Sequence, residues 1–251
     1  KLQTPCWHKE WSSMQIRTRG IVLSQIKYGE QSLIIKVFTE SEGICSYMLK
    51  GLLAKRKTGL KPALFFPLSQ LALVAVHRPN KGLHTISEAH IDYPYQRLHT
   101  DVYLNALVLF LSEVLGMAIK EEERNEALYS FISQRLIALD QGASMGVFHI
   151  HFLLELTRFL GFYPDKTVGA SRYFDLLEGA FVADPTAHTY TGAAVDALNE
   201  LLGTEFDDFG QITLTKTTKK QVLELLMAYY KMHIPEFRAP KSLPVLYELF
   251  A

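Results

Sequence analysis

Cysteine and long apolar runs are both scarce in this chain of 251 residues. Its two cysteines, Cys6 and Cys45, can form neither a disulfide framework nor a four-cysteine zinc site. The longest apolar run near the middle, residues 106–111, is far shorter than the roughly 18 residues that a membrane span needs. The N-terminus lacks the pattern of a secretory signal. We therefore expect a protein of the reducing cytoplasm.

The usual phosphate-binding motif of nucleotide hydrolases is also missing, because the sequence contains no Gly-Lys dipeptide. His151 and Glu155 stand four residues apart on a predicted helix, a spacing that can hold a metal ion, and His149 is nearby. Their neighbours are largely apolar, which favours buried, hydrogen-bonded histidines. We predict no metal, no cofactor and no catalytic residue, and keep a metal-dependent hydrolase as the least favoured alternative.

The net charge of the chain is zero, but its two halves carry opposite excesses of charge. Residues 1–95 contain 13 Lys and Arg against six Asp and Glu, a net charge of +7. Residues 96–251 contain 13 Lys and Arg against 20 Asp and Glu, a net charge of −7. A basic half favours a polyanionic partner, whereas an acidic half repels one. The two halves are therefore expected to have different partners.

The first half has the texture of a small β domain. Runs of β-branched and aromatic residues alternate with turn signals such as Tyr28-Gly29-Glu30 and Glu42-Gly43. The predicted strands are residues 21–23, 33–38, 45–49, 71–76 and 83–91. Five strands in about 80 residues suit a closed or half-closed barrel. The one long connection, residues 51–66, is basic, and a loop of this length is usually functional.

The second half has helical periodicity. The predicted helices are residues 102–119, 128–139, 147–160, 193–202, 219–233 and a last one from about 243. Gly161 is a plausible left-handed stop, and Thr217 and Thr218 are candidate N-caps. Residues 172–182 are predicted to form a hairpin that turns at Glu178-Gly179.

These patterns predict an α+β protein with two domains. Residues 1–13 precede Met14, show no periodicity and are predicted to be a flexible extension. Residues 14–93 are predicted to form the barrel. Residues 94–251 are predicted to form a mostly helical domain that contains the small hairpin.

Several short motifs follow one another in the first half. They are Gly20-Ile21-Val22-Leu23, Tyr28-Gly29-Glu30-Gln31-Ser32, Phe38-Thr39-Glu40 with Gly43, Lys50-Gly51 with the basic loop, Leu64-Phe65-Phe66-Pro67, and the Leu83, Ile86, Glu88 spacing. Their order resembles that of the RecO family of bacterial recombination mediators. The second half is similar only in outline, through Tyr93, Tyr95, Glu113 and Leu160-Gly161.

The resemblance implies an oligonucleotide-binding (OB) barrel followed by a helical domain. It also implies a role in loading recombinase onto single-stranded DNA coated by single-strand-binding protein, with that protein's acidic tail and the mediator RecR as partners. Many RecO-like proteins place a four-cysteine zinc site after the leucine-glycine pair. This chain has no cysteine there, so zinc is not carried over and packing must hold that region together.

The basic half offers cations for phosphates and aromatic rings for bases. The candidate phosphate contacts are Lys55, Arg56, Lys57 and Lys61 in the long loop, with Arg17, Arg19, Lys36 and Lys50 on or beside strands. Phe38 and Phe65 are expected in the barrel core. Tyr28 and Tyr47 are expected at the surface, where they could stack on bases.

The acidic half is expected to bind proteins. An acidic tail that ends in apolar residues needs an apolar pocket rimmed by cations. The candidate cations are Arg135, Arg158, Lys216, Lys219 and Lys220. A second hypothesis remains open, in which the whole protein is an interaction adaptor whose barrel does not bind DNA.

Overall fold

The computed structural model describes residues 13–53, 60–78, 82–120, 123–142, 146–166, 172–204, 208 and 212–250. The chain forms two compact units. The first contains the residues up to Tyr93 together with the short segment 121–125, and the second contains the rest. Within the described part of the chain, no helix combines the length and the apolar character that crossing a bilayer requires.

The first unit is built on a five-stranded antiparallel sheet with the order β3-β2-β1-β4-β5. Its strands are β1 (Met14–Tyr28), β2 (Ser32–Thr39), β3 (Gly43–Leu49), β4 (Gln70–His77) and β5 (Thr85–Ile91). A short 3₁₀ helix, Pro62–Phe65, lies between β3 and β4. All five strands occur where the sequence predicted them, and four of the five differ from the prediction by no more than two residues at either end.

The first strand is much longer than the predicted residues 21–23. Its first part pairs with β4 from Met14 to Ile21, and its second part pairs with β2 from Gly20 to Tyr28. One extra residue, Leu23, forms a β-bulge between these parts, because Val22 pairs with Val37 while Ser24 pairs with Lys36. After the bulge, β1 continues into a hairpin with β2. The side chains of β1 from Gln25 onward are exposed.

The two edges of the sheet meet at one point. A parallel bridge joins Tyr47 of β3 to His84, just before β5. Two backbone hydrogen bonds hold it: the His84 amide donates to the Ser46 carbonyl and the Met48 amide donates to the His84 carbonyl, both at 2.9 Å. This contact, which we call the seam, brings the sheet round on itself as a barrel requires.

Alternate residues of the strands fill the interior of this sheet. Leu33, Ile35 and Val37 of β2 are buried, as are Tyr47 and Leu49 of β3. Phe38 and Phe65 are fully buried, as the sequence predicted. Side chains of the opposite parity are left on the outer face, which is the usual division in a half-buried strand.

The second unit is mainly helical. Its helices are α1 (Val102–Ala118), α2 (Glu126–Asp140), α3 (Phe148–Leu160), α4 (Ala193–Leu201), α5 (Lys216–His233) and α6 (Leu243–Phe250). Helix α3 ends at Gly161 in the left-handed conformation, as predicted. Helix α5 begins earlier than predicted because Thr215 is its N-cap and accepts from the Thr218 amide, so the prediction of Thr217 or Thr218 as the cap was wrong.

A small sheet occupies the region where the resemblance would place zinc. Strands β6 (Tyr173–Asp175) and β7 (Ala180–Val182) form the predicted hairpin, and β8 (Thr189–Thr191) pairs on the other side of β6. The Asp175 carboxylate joins the turn to the following loop. It accepts hydrogen bonds from the amides of Leu177 and Glu178, at 2.8 and 3.1 Å, and from the Thr186 hydroxyl at 2.5 Å.

Candidate nucleic-acid interface

The outer face of β1, β2 and β3 carries rows of side chains set by the strand register. One row consists of Ile26, Ile34 and Met48, since Ile34 pairs with both of the others. A neighbouring row consists of Ser24, Lys36 and Ser46. Tyr28 lies at the end of β1, and Lys50 directly follows β3. We call this the outer face; it combines apolar, aromatic and cationic groups.

Three of the predicted cations on or beside strands are exposed or half-buried. Lys50 and Arg17 are exposed, and Lys36 is half-buried in the middle of the outer face. Arg17 lies farther from this face, on the first part of β1, where it pairs with Val74. The register therefore brings Lys36 and Lys50 to the same face, whereas Arg17 belongs to the part of β1 beside β4.

Arg19 does not fit its predicted role as a phosphate contact. Its guanidinium forms a two-point ion pair with the Glu40 carboxylate, in which Nε donates to Oε2 at 2.9 Å. This hydrogen bond lowers the pKa of Glu40, so the carboxylate stays charged and neutralises the arginine. No local sequence pattern predicts this ion pair, because 21 positions separate the two residues.

The two tyrosines proposed for base stacking have opposite environments. Tyr28 is 58% exposed and can present its ring to a ligand. Tyr47 is completely buried, so the prediction that it lies at the surface was wrong. Its parity on β3 directs the ring inward, where its hydroxyl contacts His77 Nε2 at 3.1 Å. Burial raises the pKa of the Tyr47 hydroxyl well above its usual value.

The predicted loop cations are mostly beyond what the structure describes. Lys55, Arg56 and Lys57 lie outside the described residues. Lys61 is exposed immediately before the 3₁₀ helix. Its position after a basic stretch and beside Leu60, which lines the cavity described next, keeps it among the candidate phosphate contacts.

A cavity of about 670 Å³ opens at the seam, next to the outer face. Its apolar wall includes Leu52, Leu60, Leu83 and Ile86. Cations and polar groups complete the lining: Lys50, Arg78, His84, Thr85 and Ser87. A volume of this size lies within the range of ordinary ligand sites. We call it the seam cavity.

The seam cavity contains functional candidates that sequence reasoning missed, namely Arg78 and His84. Arg78 is exposed, and its backbone amide donates to His84 Nδ1 at 3.3 Å. Burial lowers the pKa of His84, and His84 stacks on His77 with ring centroids 4.0 Å apart. One sequence signal could have identified Arg78: it stands directly before Pro79-Asn80, in the connection between β4 and β5. OB barrels bind ligands through this connection.

The five partner-binding candidates of the helical unit are spread over three helices. Arg135 on α2 lies 5.7 Å from the Phe131 ring centre, and that ring stacks on Phe152 and Phe159. Arg158 on α3 pairs with Glu155 at 2.9 Å and lies over the Tyr163 ring.

Lys216, Lys219 and Lys220 occupy the first turns of α5, where Lys220 lies 4.0 Å from Glu224 and 5.2 Å from the centre of the Tyr247 ring. Of the five candidates, only Arg135 lies beside a cluster of several aromatic rings that is partly exposed.

The pair that motivated the hydrolase alternative belongs to no metal-binding cluster within the described part of the chain. His151 is buried, and burial lowers its pKa to about 4. Glu155 is engaged by Arg158. A catalytic zinc ion needs about three protein ligands, and the described residues contain no group of three His, Cys, Asp or Glu side chains suited to a metal. The described residues thus give this alternative no support.

Comparison with known proteins accounts for both units. Residues 14–95 match the family model "Recombination protein O N terminal", and residues 99–244 match "Recombination protein O C terminal". A DNA repair protein RecO from Christiangramia forsetii is 43% identical over 239 residues, covering 94% of this chain and all of that protein. The relative from Flavobacterium psychrophilum is 38% identical and covers 95% of this chain and all of its own.

A relative from Bacteroides fragilis is 34% identical over 239 residues, covering 93% of this chain and 98% of that protein. The two family models together cover residues 14–95 and 99–244, and these relatives match 93–95% of the chain. The similarity inferred from the short motifs is confirmed, and the chain belongs to the RecO family of DNA repair proteins.

Proposed function

We propose that this protein is a non-enzymatic recombination mediator that binds single-stranded DNA on the outer face of its barrel. The observation that carries the proposal is the register that places Lys36 and Tyr28 on the same face as the apolar row, in which Ile26 is exposed, with the exposed Lys50 directly after β3. Cations bind phosphates, while flat apolar and aromatic groups accept unstacked bases without reading sequence. The excess of +7 in residues 1–95 supports the same surface.

Membership of a DNA repair family supports a proposed role for the bound strand. In this proposal the protein acts in the cytoplasm, at the nucleoid, and supports strand annealing and recombinase loading. Its partners are the tail of single-strand-binding protein, a RecR-type mediator and the recombinase. Exchange of contacts between proteins, together with counterion release from DNA, drives the process without nucleotide hydrolysis.

The helical unit is proposed as the protein-binding part. Residues 96–251 contain 20 acidic against 13 basic residues, and this acidic excess disfavours DNA. The aromatic cluster of Phe131, Phe152 and Phe159, with Arg135 beside it, has the apolar and cationic character that an acidic tail with apolar end residues requires. An Arg135→Glu variant should lose binding of such a peptide while DNA binding persists.

A salt titration tests DNA binding directly. With about four to six phosphate contacts, the affinity for a labelled single strand should fall with a log–log salt slope of roughly −3 to −4. The triple variant Lys36→Gln, Lys50→Gln, Arg78→Gln should bind more weakly and reduce the magnitude of that slope by about 2. A matched variant, Arg172→Gln, Lys231→Gln, Arg238→Gln, removes the same charge from the helical unit and should leave the slope unchanged.

The adaptor hypothesis is separated by a second substitution set. Replacing Lys55, Arg56 and Lys57 together with Glu should greatly weaken DNA binding, while the fold and peptide binding persist. Wild-type affinity for DNA in both this variant and the triple variant would favour an adaptor whose barrel is structural.

A further inference from the structure

We propose that the seam cavity receives one unstacked nucleobase of the bound strand, held between the diverging edges of β3 and β5. This inference rests on the proposed function, because it takes the occupant to be part of a single strand on the outer face. Met48 and Lys50 belong to both the outer face and the lining of the cavity, so a strand lying on that face passes its mouth.

The cavity lies where the parallel ladder at the seam ends. Among the described residues, Tyr47 and His84 form the bridge between the two edges. The next rung would include a hydrogen bond from the Lys50 amide to the Ile86 carbonyl, and this bond is not formed among the described residues. The two edges separate beyond the bridge, and the cavity lies in the gap.

This interruption leaves main-chain donors and acceptors facing the cavity. Backbone groups along a strand alternate in direction with a period of two residues. His84 directs its amide and carbonyl toward β3, so Ile86 does the same, and Met48 faces β5 in return. A planar base edge carries adjacent donors and acceptors that can satisfy such groups.

The shape of the gap favours a base over an extended peptide. The strands are hydrogen-bonded at Tyr47 and His84, where neighbouring strands are about 4.8 Å apart. An inserted peptide strand would need about twice that separation along several residues. A gap that is closed at the bridge and widens away from it admits a compact flat ring instead.

The lining has the chemistry that a nucleotide requires. Leu52, Leu60, Leu83 and Ile86 offer an apolar wall for the faces of a ring. Lys50 and Arg78 are exposed at the cavity and form no ion pair with another described residue, so they can hold the adjoining phosphates. Aliphatic walls accept the face of any base, which is consistent with binding that is largely independent of sequence.

The test compares a labelled twelve-residue thymidine oligonucleotide with an abasic strand of equal length and charge. A Leu83→Trp substitution fills the cavity without changing any charge. It should weaken binding of the intact strand roughly tenfold and leave binding of the abasic strand unchanged. Ile91→Trp, at an exposed position on β5 away from the cavity, is the control and should preserve both affinities.

The outcomes separate this inference from the proposed function. If the wild type binds neither strand, DNA binding fails and the base site fails with it. If the wild type binds both strands and a folded L83W variant binds the intact strand normally, only the base site is overturned. If L83W does not fold, 2-aminopurine placed along the strand provides the test on the wild type: one position should brighten as its base leaves the stack, and unchanged fluorescence at every position overturns the base site.

Discussion

Tyr28 and Tyr47 show how much the role of a single residue depends on strand parity. Both are tyrosines in the basic half, yet one is 58% exposed and the other has no exposed surface. We expect Tyr28→Ala to weaken single-strand binding by fivefold or more, because a base loses its stacking partner, at about 1–3 kcal/mol per base. Fluorescence anisotropy at fixed salt measures this change, and an unaltered Kd would remove Tyr28 from the interface.

Substitution of Tyr47 should lower the stability of the protein and leave its DNA affinity unchanged. Tyr47→Phe keeps the buried ring but removes the hydroxyl that contacts His77. The free energy of unfolding should fall by about 1 kcal/mol, the usual net value of such a hydrogen bond, while DNA affinity stays constant. Urea unfolding monitored by circular dichroism provides the measurement. A large loss of DNA binding in a stable Y47F protein would return Tyr47 to the binding surface.

Two buried histidines of α3 should make the helical unit sensitive to acid. Burial lowers the pKa of His149 to about 3 and that of His151 to about 4. Between these values and about 6.5 the unfolded chain binds protons that the folded chain does not, so stability falls as the pH falls. Each histidine should account for about 2 kcal/mol of the stability lost between pH 7 and pH 5.

Substitution of one histidine isolates its share of this loss. His151→Gln removes one titrating group, so the difference in unfolding free energy between pH 7 and pH 5 should shrink by about 2 kcal/mol. Urea unfolding at the two pH values measures it. An identical difference in the variant and the wild type would contradict the assignment.

At the scale of elements, the sequence predicted most strands and helices because their buried faces are periodic. It failed where an element is defined by its neighbours. The outer residues of β1, such as Arg17 and Arg19, interrupt the apolar pattern, and pairing with β4 is what makes them a strand. Strand β8 has only three residues and exists because β6 offers a free edge. The seam joins residues 37 positions apart, which no local pattern can indicate.

The same limit applied to the candidate site. Lys36 and Lys50 were predicted as candidate phosphate contacts because positive charge can be read from the sequence. Arg78 and His84 were missed because their relation to β3 exists only once the seam has formed. Arg19 was included because an ion pair with Glu40 cannot be read from composition.

The small sheet β6-β7-β8 should depend on Asp175 for its stability. The Thr186 hydrogen bond and those from two backbone amides lower the pKa of this carboxyl, so it stays charged. Asp175→Ala should lower the free energy of unfolding by roughly 2–4 kcal/mol, because buried donors lose a charged acceptor. Thermal unfolding measures this loss. Asp184→Ala, at an exposed position in the same region, is the control and should have little effect.

At the scale of the whole molecule, the opposite charges of the two halves should tune DNA affinity over distance. Replacing the exposed Glu178, Glu200 and Glu236 of the helical unit with Gln reduces its negative excess by three. In 10 mM salt, where the Debye length is about 30 Å, affinity for a single strand should rise up to about threefold. At 0.5 M salt the variant and the wild type should bind equally, and a gain that persists there would contradict long-range electrostatics.

The bulge at Leu23 has a consequence for the evolution and engineering of this surface. If the same sequence paired with β2 without the bulge, Leu23 would stand opposite Lys36, and every later side chain of β1 would change sides. Ile26 and Tyr28 would turn inward, and Gln25 and Lys27 would replace them outside. The bulge therefore decides whether the tip of the hairpin presents an apolar and aromatic surface or a hydrophilic one, with no change of residue at any position.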